Sequence, residues 1–217
     1  MNGMLAYGVT GLGCLLAVAG IVIAVVALRT AQRRNSPGSG GPVDPFRQPD
    51  DDADALRGDP RRLRPGDIVE IRGTSYGVRG SLHFSEGDWG WAEHLLDDAH
   101  GVKRWLSVEE DPDLELVLWT AAPGATVTPG PSTLDFEGRR YTSDESGQAR
   151  YTGVGTTGLN PSGSVRYHDY RGPDGSLLSF EAYGDSGAWE VGLGEPLRRP
   201  EVMIYPATGP EQPGQGR

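Results

Sequence analysis

The chain has 217 residues, and its acidic side chains outnumber its basic ones by 30 to 20. Residues 66–217 hold 24 of those acids against 12 bases, so this part is repelled by nucleic acid and by anionic lipid, and nucleic-acid binding is set aside. A lone cysteine, Cys14, excludes an internal disulfide and any cysteine-based zinc site.

In chain order, a short stretch of residues 1–4 precedes an uncharged apolar run over 5–28. At a rise of about 1.5 Å per residue such a run spans a hydrocarbon core of about 30 Å, so a transmembrane helix is expected there. A cleavable signal needs positive charge before its apolar stretch, whereas Arg29, Arg33 and Arg34 follow it. The positive-inside rule then puts residues 1–4 outside and everything after residue 28 in the cytoplasm, on a single-pass cell-membrane protein. Residues 29–65 carry SPGSGGP, the acidic run Asp50-Asp51-Asp52-Ala53-Asp54 and RRLRP, and read as a flexible linker with little to bury. Residues 207–217, rich in Gly, Pro and Gln, read as a disordered tail.

Residues 66–206 have the pattern of an all-β domain, a barrel or a sandwich. Alternating stretches over 67–72, 76–84, 89–96, 102–109, 114–119, 165–170, 176–183, 189–193 and 202–205 are separated by turn signals such as Gly172-Pro173-Asp174-Gly175. A break at 121–132, AAPGATVTPGPS, divides the domain. Leu106-Ser107-Val108-Glu109 before it echoes Leu178-Ser179-Phe180-Glu181 after it, which suggests a duplicated small β unit with halves 66–120 and 133–206 packed as one body.

Gly66-Asp67-Ile68-Val69, Tyr76-Gly77-Val78-Arg79-Gly80, Trp91-x-Glu93-x-Leu95-Leu96 and Trp105-Leu106-Ser107-Val108-Glu109 together resemble an actinobacterial, membrane-anchored branch of the domain of unknown function 4178 family (DUF4178). Phe136-Glu137-Gly138-x-x-Tyr141 and Asp144-Glu145-Ser146-Gly147-Gln148-Ala149 are similar too. The resemblance covers about residues 66–205 and implies a small β domain, sometimes behind a membrane helix. It brings no established catalytic residues.

Candidate chemistry centres on indoles and carboxylates. Glu93 follows Trp91 by two positions, so both point to one face of a strand. A carboxylate beside an indole can be raised into acid–base range, or can bind a cation with Trp91 or Trp105 supplying a π face. Glu109, Glu145 and Glu181 sit in matching contexts, and Trp91, Glu93, Trp105, Glu109, Glu145 and Glu181 form the candidate ligand-binding set. His83, His94, His100 and His168 form no His-x-His or His-x-x-x-His pair, so neither a metal nor a cofactor is expected. Asp144-Glu145-Ser146-Gly147 reads as a turn, and Gly153-Val154-Gly155-Thr156-Thr157-Gly158 as a loop rather than a dinucleotide fingerprint.

The first expectation is a membrane-tethered, non-enzymatic module that binds an unknown protein partner, with the glutamates in separate places on a flat or edge-strand surface. The alternative is a sensor for a small cation such as a polyamine, with indoles and carboxylates converging on a pocket. The second alternative, a hydrolase using Glu93 or Glu145, needs a buried carboxylate with a strongly shifted pKa.

Overall fold

The computed structural model describes residues 56–98, 100–110, 112–185 and 187–207. The expected membrane helix over 5–28, residues 1–4, most of the linker and nearly all of the tail lie outside these residues. Among the described residues no helix is long and apolar enough to cross a membrane.

Among the described residues eleven strands follow one another, all paired antiparallel: β1 (Ile68–Ile71), β2 (Thr74–Glu86), β3 (Trp89–Asp97), β4 (Arg104–Glu110), β5 (Leu114–Ala121), β6 (Thr133–Phe136), β7 (Arg139–Gly155), β8 (Ser162–Arg171), β9 (Leu177–Tyr183), β10 (Glu190–Leu197) and β11 (Val202–Tyr205). Their order is β11-β1-β2-β3-β4-β5-β10-β9-β8-β7-β6, with a further pairing of β2 with β7. That extra pairing closes β2, β3, β4, β5, β10, β9, β8 and β7 into an eight-stranded barrel.

The barrel strands come from two meanders, β1–β5 and β6–β10, joined where like meets like: β5 pairs with β10, and β2 with β7. This is the arrangement a duplicated unit gives when its copies are related by an approximate two-fold axis, with β11 added at the end. The 121–132 segment joins the meanders and also covers one of them. Ala122, Ala125 and Val127 pack on a cluster of Tyr141, Tyr170, Leu178, Phe180 and Val191 outside β7–β10. Gly130 donates its amide to the Tyr170 hydroxyl, which donates in turn to the Pro131 carbonyl, each at 2.9 Å.

A second outer cluster covers the first meander. Val69, Ile71, Val202 and Ile204 of β1 and β11 lie over Leu96, Leu106, Val108 and Leu116 of β3–β5. The long β2 permits this, pairing with β1 through Thr74–Gly77 and with β7 through Gly80–Ser85.

Two expectations need correction. The linker meets the domain before residue 66: Pro60 and Leu63 are buried, and Arg57 donates to the Pro200 carbonyl at 3.0 Å. The supposed turn at Asp144-Glu145-Ser146-Gly147 lies inside β7, the longest strand, which shifts register between Ser143 and Glu145. β7 gives no apolar alternation here, because its inward positions near this point are a glutamate and a glycine.

Candidate functional site

Outer clusters cover much of the barrel wall, while the outer face of β7 (Ser146, Gln148, Arg150 and Thr152) is exposed, and strand alternation sends two kinds of side chain inward. On β3, His94 and Leu96 face outward while Trp91, Glu93 and Leu95 face the lumen. The register carries the pattern round: Glu93 lies opposite Ser107, which lies opposite Val117, and Trp105 lies opposite Trp119. In the second meander Asp169 lies opposite Ser179, Tyr167 opposite Glu181, and Glu181 opposite Glu190. Leu82, Phe84, Ala149, Tyr151 and Val165 fill one part of the lumen with apolar packing. Trp91 reaches across it, stacked on Phe84 at 4.8 Å and edge-on to Tyr167 at 5.7 Å.

The rest of the lumen is hollow, polar and acidic. One hollow of about 50 Å³ is walled by Glu93, Lys103, Trp105, Trp119, Ser179, Glu181 and Glu190. A second of about 80 Å³ shares Glu93, Trp119, Ser179 and Glu181 with the first, and adds Trp89, Trp91, Ser107, Glu109, Glu145, Tyr167 and Asp169. Each has room for a few water-sized groups, enough for a small cationic head group and part of its stem.

Carboxylates crowded in a poorly hydrated lumen resist ionisation. Glu93 is 8% exposed, and burial first, then the Glu181 charge, raise its carboxyl well above the ordinary range. Burial pushes Glu181 up to about 7, helped by Asp169 and Glu190 and opposed by the hydrogen bond from the Tyr183 hydroxyl at 2.9 Å. Burial likewise lifts Asp169 to about 6, against a hydrogen bond with Ser179. At the rim, burial and the neighbouring Glu86 and Asp144 raise Glu145. Few protein cations offset these groups. The ammonium of Lys103, 2.8 Å from Glu190, is the one in the first hollow's wall.

Two polar atoms in the second hollow's wall are buried and have no hydrogen-bond partner among the described residues: the Asp169 Oδ1 acceptor and the Trp89 Nε1 donor. Leaving such a group unpaired costs about 1–3 kcal/mol, so natural cores seldom keep one. Other polar atoms nearby are fixed. Tyr167 donates to Glu86 at 2.7 Å, Trp119 to Ser107 at 3.1 Å, and Trp91 more loosely to Glu93 at 3.4 Å. Two glycines keep the space open. A Cβ on Gly194 would stand 2.5 Å from the Trp119 ring, and one on Gly147 would stand 2.6 Å from the Tyr167 hydroxyl.

The six residues singled out in the sequence, Trp91, Glu93, Trp105, Glu109, Glu145 and Glu181, all lie in the walls of these two hollows. Sequence reasoning missed Asp169, Glu190 and Lys103. The internal repeat marks Asp169: Ser107 faces Glu93 in the first meander, and its counterpart Ser179 faces Asp169 in the second. By the same pairing Glu190 answers Glu115.

The histidines stand elsewhere. His94, 1% exposed, holds its Nδ1 2.8 Å from the Ser81 hydroxyl, outside the lumen. Burial lowers its pKa to about 4, so the pair is neutral and sealed from any substrate. His168 packs edge-on to Trp189. Among the described residues no group of three or more His, Cys, Asp or Glu side chains is disposed to hold a metal ion.

Comparison with known proteins agrees on the family and is silent on activity. A family model described as a domain of unknown function (DUF4178) matches residues 64–199. The uncharacterised protein Mb2628 of Mycobacterium bovis is 39% identical over 199 residues, covering 88% of this chain and 92% of that protein. The uncharacterised proteins MT2673 and Rv2597 of Mycobacterium tuberculosis match to the same extent. No solved structure matches. With the family model covering more than half of its length and these relatives nearly all of it, the chain belongs to the DUF4178 family.

Proposed function

We propose that the domain binds a small organic cation in the lumen of its barrel. The observation that carries this reading is the buried, unpartnered Asp169 Oδ1 in a wall shared with Glu93, Glu109, Glu145 and Glu181. A cationic N–H donor satisfies Asp169, draws the neighbouring carboxylates into their ionised forms, and meets the indoles of Trp89, Trp91 and Trp119 in the same wall. The sign of the site excludes anions, and its depth suits a ligand better than a flat protein surface. A linear polyamine belongs to the class of ligand that fits.

The test is a titration of the full-length chain at pH 8, followed by tryptophan fluorescence, with n-butylammonium, tetramethylammonium and 1,4-diaminobutane. Saturable quenching that Asp169→Asn and Glu93→Gln weaken at least tenfold supports the reading. A flat response at millimolar concentrations of all three probes removes it.

The raised Glu93 and Glu181 favour a second reading, in which this pair shuttles a proton for a bound substrate. Conversion of any amine probe, abolished by Glu93→Gln while binding survives, is its signature. Under either reading the uncharged run over 5–28 and the three arginines that follow support a cytoplasmic domain tethered to the cell membrane.

A further inference from the structure

The sequence holds one lysine among nineteen arginines, and the fold sets that lysine in the wall of the first hollow. Lys103 lies just ahead of β4. Its Nζ is 2.8 Å from Glu190 and 5.7 Å from the centroid of the Trp105 ring. Carboxylate on one side and indole face on the other are the surroundings an alkylammonium ligand would seek. The charge also reaches inward, easing the ionisation of Glu93 and Glu181.

An arginine here would grip Glu190 with a planar, two-pronged contact, whereas an ammonium is a point charge on a flexible stem and makes no such fork. The Lys103 side chain is 42% exposed and that of Glu190 54%, so the pair is wet on its outer side and easily exchanged. Lys103 therefore has a retreat: swung outward, its ammonium is hydrated in bulk water and the hollow is free.

We propose that Lys103 is a built-in occupant of the cation site, its ammonium holding the place between Glu190 and Trp105 that the ammonium of a ligand takes on binding. This rests on the reading of the lumen as a cation site and names the ligand group it accepts there, a primary alkylammonium. Binding is an exchange of one ammonium for another, and the tethered one sets the threshold concentration a ligand must exceed.

The experiment compares the full-length wild-type chain with Lys103→Met, Lys103→Arg and Arg166→Gln, titrated with n-butylammonium at pH 8. Met keeps the length of the side chain and removes the charge. Arg keeps both the charge and the obstruction. Arg166, whose guanidinium packs on Trp189 away from the hollows, controls for the bare loss of one positive charge. Removing a competitor with an effective local concentration in the millimolar range or above is expected to tighten binding by roughly five- to fiftyfold in Lys103→Met. Lys103→Arg, which grips Glu190 more firmly, should bind no tighter than wild type, and Arg166→Gln should stay within about threefold of it. A second readout needs no variant. Because Lys103 is the only side-chain amine, its acylation by an amine-reactive ester, located by peptide mass and measured relative to free Nα-acetyllysine in the same solution to correct for ester consumed by the ligand, should speed up when saturating n-butylammonium frees it from Glu190.

Tighter binding confined to Lys103→Met, with faster acylation of the liganded wild type, supports the proposal. Binding seen only in Lys103→Met supports it as well. Equal or weaker binding by Lys103→Met, an equal gain in Arg166→Gln, or slower acylation with ligand overturns it while leaving the cation site standing. Failure of every chain to bind overturns both.

Discussion

Replacing Glu181 by Gln should stabilise the empty protein at pH 8. In the folded chain burial raises this carboxyl from 4.5 to about 7, and ionising it there costs about 3 kcal/mol more than in the unfolded chain, at about 1.4 kcal/mol per pKa unit. The unfolded chain releases this proton first, near its ordinary pKa, so it binds fewer protons than the folded chain between about 4.5 and 7. Stability from this group is therefore complete below pH 4.5, declines as pH rises through that window, and stays lost above pH 7. Gln has no proton to release, keeps an oxygen to accept from the Tyr183 hydroxyl, and removes a charge that opposes the ionisation of Glu93. Thermal melts of full-length wild type and Glu181→Gln, followed by near-ultraviolet circular dichroism from pH 4.5 to 8.5, separate the two behaviours. A difference of about 3 kcal/mol corresponds to roughly 6–12 °C in a domain of this size. The variant should melt higher by about that amount at pH 8 and match wild type near pH 4.5. Carboxylates held below their ordinary range, such as Glu201 at about 2 beside Arg72 and the Arg198 amide, titrate below this window and do not mask it. His94, lowered to about 4, adds stability as pH rises to about 6.5 in both chains, so the difference between them is the readout. A variant less stable than wild type at pH 8, or one whose advantage does not grow from pH 4.5 to 8, would refute the reasoning.

Cation affinity should follow the opposite slope, because the ligand binds ionised carboxylates. The Kd for n-butylammonium should fall roughly tenfold or more from pH 5.5 to 7.5 and level off above the Glu181 pKa of about 7, with protons released into a weakly buffered calorimeter cell. Gly194→Ala places a Cβ 2.5 Å from the Trp119 ring, and should cost about 1–3 kcal/mol in denaturant unfolding while shifting indole fluorescence as that ring leaves the wall. Ser81→Ala leaves the sealed His94 Nδ1 without its partner, and should cost about 1–3 kcal/mol of stability with cation affinity unchanged. An unlabelled Ser81 after treatment with a serine-reactive fluorophosphonate checks that this pair is structural.

Much of this architecture is legible in the sequence, and the parts that are not have physical causes. Strands such as Ile68–Ile71 and Leu177–Tyr183 alternate in apolarity because one face packs under an outer cluster. β7 hides because its lumen-facing positions include Glu145 and Gly147, where a hydrophobic pattern has nothing to register. The glycine is required there by the Tyr167 hydroxyl and Glu86, a contact between β7, β8 and β2 that no local pattern encodes. Trp91 and Glu93 could be placed on one face from spacing alone. Their convergence with Glu181 depends on the ring closing through β5–β10 and β2–β7, which is a property of the whole barrel. The Leu-Ser-x-Glu repeat is visible in the sequence, and through the strand register it leads to Asp169.

The central claim is that the acidic lumen takes an organic cation, and isothermal titration of n-butylammonium into the full-length chain at pH 8 tests it most directly, beside a Glu93→Gln, Glu181→Gln double variant. The account predicts saturable binding at one site in wild type and a loss of at least tenfold in the variant, which should remain folded and melt higher. Binding of equal strength in both chains, or none in wild type at millimolar cation, would contradict it.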